Sequence, residues 1–129
     1  AYRSFESLEV WQRACRIAVR VYQVLRDCRD YGIRDQMQRS AVSIASNIAE
    51  GAERDSRNDF VRFLRIAKGS SAELRTQAYI ANMAGIISGS VSDELDRELM
   101  SISSMLHRLI LAIQRKEKLA ARKYQAHDT

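Results

Sequence analysis

The chain has 129 residues, 46% of them hydrophobic, and a net charge of +5. It therefore has the size and composition of one globular domain rather than of a disordered chain. No apolar run approaches the about 20 residues that a membrane-spanning helix needs, and the N-terminal segment lacks the apolar block of a secretory signal. These features predict one domain over residues 1–129, in the cytoplasm and with no membrane partner.

The first helix is predicted at about residues 8–28, where apolar residues recur every three or four positions. Together they cover about 200° of the helix surface, whereas an ordinary bundle helix needs a stripe of only about 100°. The surplus predicts a second packing surface, against a long neighbour in the chain or against another subunit. The positions are Leu8, Val10, Trp11, Cys15, Ile17, Ala18, Val21, Tyr22, Val24 and Leu25.

The second helix is predicted at residues 35–50, closed by Gly51 as a left-handed cap. The third is predicted at residues 57–86, with Ser56 as its N-cap and Asp59 at the acidic position of a capping box. Gly69 costs about 1 kcal/mol inside a helix. We therefore expect a neighbouring helix to approach the backbone closely at this residue.

The fourth helix is predicted at residues 93–123, with Ser92 as its N-cap. Its apolar residues form a heptad seam, which is typical of bundle packing: Leu95, Leu99, Ile102, Leu106, Leu109 and Ile113. Met100 and Leu111 lie on the back of this helix and indicate an interface. Because the connections are short, neighbouring helices must be antiparallel. The sequence therefore predicts an all-α, antiparallel up-down-up-down four-helix bundle.

Cysteine and histidine patterns favour no catalytic centre. Cys15 and Cys28 lie about 20 Å apart on the predicted first helix, too far for a disulfide, and neither has a local base. His107 and His127 have no companions at ligand spacing. The sequence therefore predicts no metal site and no cofactor.

A stripe of polar residues on the second helix, continued on the third, admits two interpretations. It contains Gln36, Arg39, Ser43, Asn47, Glu50, Ser70 and Glu73. As a structural seam, Arg39, Asn47, Glu50 and Glu73 would form a charge-assisted network within or between subunits. As a hydrolase-like site, Glu50 and Glu73 would be paired carboxylates and Ser43 a nucleophile. No histidine lies nearby in sequence, so the structural interpretation is favoured.

Clusters of basic residues are candidates for nucleic-acid contacts. They are Arg13, Arg16 and Arg20 on the first helix, Arg62, Arg65 and Lys68 on the third, and Arg115, Lys116, Lys118, Arg122 and Lys123 near the C-terminus. Aromatic residues that could stack on bases are few, so contacts to phosphates are expected. The alternative is a solvated face, and acidic residues within 93–98 can neutralise nearby patches.

Three ordered patterns add a resemblance to these arguments. FxxLxVWQ is present as Phe5, Leu8, Val10, Trp11 and Gln12. QxxRxxxSIxxNIAEG is present as Gln36, Arg39, Ser43, Ile44, Asn47, Ile48, Ala49, Glu50 and Gly51. DFxxFLxIAxGSxxEL is present as Asp59, Phe60, Phe63, Leu64, Ile66, Ala67, Gly69, Ser70, Glu73 and Leu74. Over nearly its whole length the chain resembles the bacterial four helix bundle proteins encoded in intervening sequences of large-subunit ribosomal RNA genes.

The resemblance implies four-helix bundles that assemble into rings, commonly pentamers, and that have no established enzymatic activity. It extends distantly to the accessory proteins of diversity-generating retroelements, which are basic pentameric barrels that bind nucleic acid and a reverse transcriptase. We therefore expect a non-enzymatic homo-oligomeric scaffold or adaptor. Its expected partners are its own copies and RNA, DNA or a nucleic-acid-processing protein; the alternative is a protein–protein interaction module without nucleic-acid binding.

Overall fold

The structure, a computed structural model, describes residues 4–128, with side chains described up to residue 126. Its elements are a short 3-10 helix, Phe5–Ser7, and four α-helices: α1 (Glu9–Val24), α2 (Tyr31–Ala52), α3 (Arg57–Met83) and α4 (Gly89–Asp128). The predicted range 1–129 includes residues 1–3 and 129, which lie outside the described residues, as does the side chain of His127.

Contacts between neighbouring helices show that successive helices run in opposite directions. Arg13 and Arg20 of α1 pair with Glu98 and Glu94 of α4, so residue numbers rise along one helix as they fall along the other. The same order holds between α2 and α3, where Ser43 meets Ser70 and Gly51 meets Phe63. It also holds between α3 and α4, where Arg57 pairs with Glu117 and Arg75 with Asp96. The predicted all-α, antiparallel four-helix bundle is confirmed.

The core consists of the apolar residues that recur at helix spacing in all four helices. Its largest fully buried apolar side chains are Val21, Leu25, Met37, Ile44, Ile48, Leu64, Leu74, Leu95, Leu99, Ile102 and Leu106. The heptad seam of α4 is therefore confirmed at every predicted position except Leu109, since Ile113 is also buried. Leu109 is only half-buried, and Ile110 is buried instead, with 4% of its surface exposed. Among residues 4–128, none of the helices is both long and apolar enough to cross a membrane.

Short polar side chains set where three of the helices begin. Asp30 accepts a hydrogen bond from the backbone N–H of Ile33, so α2 starts at Tyr31, four residues before the predicted start. Ser56 accepts from the N–H of Asp59, as predicted for α3. Ser92 is not the N-cap of α4, because Ser88 accepts from the N–H of Val91 and the helix begins one turn earlier.

Two glycines have structural roles other than those predicted. Gly51 does not end α2 in a left-handed conformation; it lies inside the helix and is buried. A Cβ at this position would lie 2.6 Å from Cβ of Phe63, so Gly51 allows α3 to approach α2. The left-handed residue is Gly85, with φ +78°, at the end of α3. At Gly69 a Cβ would meet nothing within 4 Å, so within the chain the predicted close approach is wrong.

Candidate functional site

The polar stripe contributes a three-residue hydrogen-bonded cluster between α2 and α3. The hydroxyl oxygens of Ser43 and Ser70 are 2.9 Å apart. The Asn47 amide donates to the Ser43 hydroxyl at 2.9 Å and to the Ser43 carbonyl at 2.8 Å. Ser70 is buried, and the other two side chains are half-buried. The cluster satisfies polar groups where two helices meet, which fixes their register.

The charged residues of the stripe do not join this cluster within the chain. Gln36, Arg39, Glu50 and Glu73 are exposed, and Glu50 pairs with Arg54 of its own helix at 3.1 Å. The charge-assisted network within one subunit is therefore wrong for the described residues. A network between subunits stays a prediction, since these side chains remain open to a partner.

The geometry separates the two carboxylates that a hydrolase-like site would need. With Ser43 facing Ser70, Glu50 lies level with Phe63 of α3, ten residues from Glu73. Ten residues of helix span about 15 Å, which is too far for two carboxylates to act on one bond. Among the described residues no group of three histidine, cysteine or acidic side chains could hold a metal ion.

The setting of Cys15 does not activate its thiol. Cys15 and Cys28 are both free and half-buried. Burial raises the pKa of the Cys15 thiol, only partly offset by the charge of Arg16. A raised pKa keeps the thiol protonated and unreactive at neutral pH.

Two of the three arginines proposed for nucleic-acid contact on α1 are already paired with α4. Arg13 donates two hydrogen bonds of 2.8 Å to Glu98, and Arg20 donates two of 2.7 and 3.0 Å to Glu94. The hydrogen bond from Arg20 is the main reason that the pKa of Glu94 is lowered. Arg16, between the two pairs, is exposed. The expected neutralisation by residues 93–98 is confirmed here.

The basic cluster on α3 is more open to solvent. The guanidinium of Arg62 stacks on the Phe63 ring at 4.7 Å and lies 3.8 Å from Asp59. Arg65 is exposed and Lys68 is half-buried, and neither forms an ion pair with another described residue. Their role in nucleic-acid contact stays a prediction.

The largest concentration of open positive charge is the C-terminal part of α4, residues 115–126, here named the basic extension. Every residue in it is exposed, and it spans about 18 Å. It carries five cations, Arg115, Lys116, Lys118, Arg122 and Lys123, against Glu117 alone. Glu117 in turn pairs with Arg57 of α3 at 3.3 Å. The five cations therefore face solvent, and the one carboxylate of the extension is paired with α3.

A second open surface is apolar. A groove of about 360 Å³ runs between α1 and α2, lined by Phe5, Trp11, Cys15, Ala18, Val42, Ala45, Ser46 and Ala49. Val42 is 43% exposed, and farther along α1 Tyr22 is 48% exposed. This α1–α2 groove lies on the side of α1 where the sequence has more apolar residues than one bundle needs. Met100 and Leu111 are also exposed, on α4.

The 23S rRNA-intervening sequence protein model matches residues 6–108 of the chain. The chain belongs to this family. The match covers α1, α2 and α3 and the first half of α4, and it ends before the basic extension begins at Arg115. The resemblance inferred from the three sequence patterns is thereby confirmed, and the basic extension lies outside the matched region.

A solved structure from Bacteroides thetaiotaomicron has a similar fold. It is a protein with unknown function from the S23 ribosomal protein family, and it is 25% identical in sequence with a TM-score of 0.74. The similarity covers 78% of this chain and 97% of the other. No curated protein matches the chain significantly. These comparisons place the fold and the family, and neither names an enzyme.

The sequence located the basic residues but did not separate paired from open ones. The missed contacts are those of Arg13 and Arg20 with Glu98 and Glu94. The sequence does contain a signal for these ion pairs. The basic residues are seven positions apart on α1 and the acidic residues are four positions apart on α4, and both intervals return to the same side of a helix. The sequence does not show that α1 packs against α4, so these ion pairs were not predicted.

Proposed function

We propose that this protein is a non-enzymatic, homo-oligomeric scaffold that binds nucleic acid through the basic extension of α4. The observation that carries the proposal is that five cations lie on a fully exposed helical segment with one carboxylate. Clustered exposed cations attract a polyanion and release its counterions, a gain that paired arginines such as Arg13 cannot supply.

The chemistry of the extension favours phosphates over bases. Its charged side chains are lysine and arginine except for Glu117, and these cations contact the phosphate backbone without reading sequence. Tyr124 is its one aromatic residue and is exposed, so stacking on bases is a minor contribution. Binding is therefore largely independent of nucleotide sequence. Self-assembly strengthens it, because each added copy brings another extension to the same strand.

The first test measures binding of single-stranded RNA to the full chain at several salt concentrations. If about four cations of the extension contact phosphates, affinity falls about twentyfold between 50 and 150 mM salt. The double variant Lys118→Gln/Arg122→Gln removes two contacts, which flattens the slope of log affinity against log salt by about 1.4. The variants are compared by fluorescence anisotropy with a labelled oligonucleotide.

A charge-matched control separates the extension from net charge. Arg26→Gln/Arg29→Gln lowers the net charge equally at the opposite end of the bundle, where both residues are exposed. The proposal expects this control to bind RNA like the unaltered protein. Equal losses in both double variants, or no RNA binding at 50 mM salt, would reject the basic extension as the binding site. The second outcome leaves a protein–protein interaction module as the function.

The second test concerns assembly through the α1–α2 groove. We expect sedimentation equilibrium at micromolar concentration to give a species several times heavier than the 14.7 kDa chain, in a ring of about five copies. Val42→Glu introduces a charge into the groove and is expected to shift the protein toward monomer, because a buried unpaired charge is costly.

The control for assembly is Ile66→Glu, which places the same charge at a residue with nearly equal exposure on α3, 42% against 43% for Val42. This variant is expected to assemble normally, and circular dichroism checks that both variants remain helical. A 14.7 kDa monomer in the unaltered protein contradicts self-assembly. Dissociation by both variants would contradict the assignment of the interface to this groove.

A further inference from the structure

A cleft between α1 and α4 contains more arginine than its acidic residues neutralise. It has a volume of about 630 Å³ and is lined by Arg13, Arg16, Ile17, Arg20, Glu94, Leu95, Arg97, Glu98 and Ser101. The two carboxylates form bidentate pairs with Arg13 and Arg20, and the charge of Arg97 also acts on Glu94. The four arginines outnumber the two carboxylates by two. Two positive charges are therefore left over in the cleft.

The two remaining arginines lie at the same level of the cleft. The pairs Arg13–Glu98 and Arg20–Glu94 set the register of the two helices. Arg16 is midway between the paired arginines, so this register puts it level with about residue 97 of α4. Within the part of the chain that the structure describes, neither Arg16 nor Arg97 forms an ion pair. Like charges placed at one level repel each other, and an anion between them removes that repulsion.

The surroundings suit a phosphate group with two negative charges. Guanidinium groups bind phosphate oxygens through two parallel N–H donors each. The buried side chains of Ile17 and Leu95 form an apolar floor, which lowers the local dielectric and strengthens the attraction. The cleft is larger than one phosphate and lies in the size range of small-molecule sites. It therefore has room for the group that carries the phosphate.

We propose that the α1–α4 cleft is a binding site for a phosphomonoester dianion, held between Arg16 and Arg97. Arg13 and Arg20 keep their carboxylate partners and act as positioning residues that hold the two helices at the required distance. The site is separate from the basic extension, so it does not depend on nucleic-acid binding there. A phosphomonoester matches the two excess charges, whereas each internal phosphate of a nucleic acid carries only one.

The test begins with inorganic phosphate and the full chain. Isothermal titration at pH 7.5, with ionic strength held constant by sodium chloride, is expected to give a Kd on the order of 1 mM or tighter, as two charge-assisted contacts supply. Arg16→Gln and Arg97→Gln should each weaken binding at least about tenfold. Both side chains are exposed, so the fold is retained. Arg26→Gln, outside the cleft, should bind phosphate normally.

The charge of the ligand provides an independent readout. The second pKa of a phosphomonoester is about 6, while arginine does not titrate in this range. Binding of a nucleoside monophosphate should therefore strengthen as the pH rises from 5 to 7.5. Acetate at the same ionic strength should not compete. No phosphate binding at 10 mM, equal binding by all three variants, or equal competition by acetate overturns the proposal.

Two phosphorylated ligands test which class of molecule supplies the phosphomonoester. A nucleoside monophosphate represents a small molecule, and a 5′-phosphorylated oligonucleotide represents the end of a nucleic acid. Each is compared with its unphosphorylated counterpart, with Arg97→Gln as the reference for lost binding. A preference for the phosphorylated form that disappears in Arg97→Gln supports the cleft for that source. Absence of such a preference for both sources overturns it.

Discussion

The Ile110→Ala variant is expected to lose about 2–5 kcal/mol of the free energy of unfolding, because it leaves a cavity at a buried position. The neighbouring Leu109→Ala is expected to lose only about 1 kcal/mol, since Leu109 is half-buried and its transfer free energy is correspondingly smaller. The heptad pattern predicts the reverse, with Leu109 in the seam. The pair therefore tests the packing of α4 directly.

The measurement is urea unfolding followed by circular dichroism, at one fixed protein concentration because self-assembly would make stability depend on concentration. Leu106→Ala serves as a reference, since that side chain is fully buried and belongs to the part of the seam on which pattern and structure agree. A larger loss for Leu109→Ala than for Ile110→Ala would contradict the burial of Ile110 and the partial exposure of Leu109.

Leu109 is less buried than Ile110 because of where α1 begins. The apolar pattern of α4 carries no information about that position. The Arg13–Glu98 pair puts the start of α1, Glu9, level with about residue 102 of α4. Leu109 points to the side of α1 but lies beyond its start. Ile110 points to the side of α3, which continues to Arg57 beside Glu117. Periodicity thus identified the helix and its buried face, while the length of the neighbours decided which flanking residue is covered.

The start of α3 is determined by a local sequence signal, whereas the start of α4 also depends on the connection that precedes it. Ser56 with Asp59 is a local signal, and it located the start of α3 correctly. Three serines lie near the start of α4, at positions 88, 90 and 92, and from the sequence alone each is a candidate N-cap. The buried side chain of Ile87 and the left-handed turn at Gly85 end the previous connection early. Ser88 is therefore the cap that is used.

The polar stripe shows which contacts of the candidate site can be predicted from the sequence. The small residues Ser43, Asn47 and Ser70 were predicted to lie in a helix seam, and they meet there. Long charged residues such as Arg39 and Glu73 reach solvent from the same helices, because a flexible side chain at an interface edge keeps its charge hydrated. Residue type alone does not predict whether a long charged side chain packs between the helices or extends into solvent.

Alanine substitutions at two glycines separate the effect of close helix approach on stability from the effect of helix propensity. Gly51 and Gly69 both lie inside helices, so alanine would improve the intrinsic propensity at each by about 1 kcal/mol. At Gly51 the new Cβ would lie 2.6 Å from Cβ of Phe63 and 3.3 Å from the carbonyl oxygen of Phe60. These atoms belong to or adjoin the backbone of α3, so they can move only if the helix moves.

Gly51→Ala is therefore expected to destabilise the bundle by about 1–3 kcal/mol, the usual cost of overpacking, even after its gain in propensity. Gly69→Ala, with no atom within 4 Å of the new Cβ, is expected to stabilise it by about 0.5–1 kcal/mol. Thermal unfolding of both variants at one protein concentration gives the two signs. A rise in Tm for Gly51→Ala contradicts the close approach of α2 and α3. A loss of stability in Gly69→Ala that grows with protein concentration indicates a partner subunit packed against α3 at that residue, because only an intermolecular contact depends on concentration.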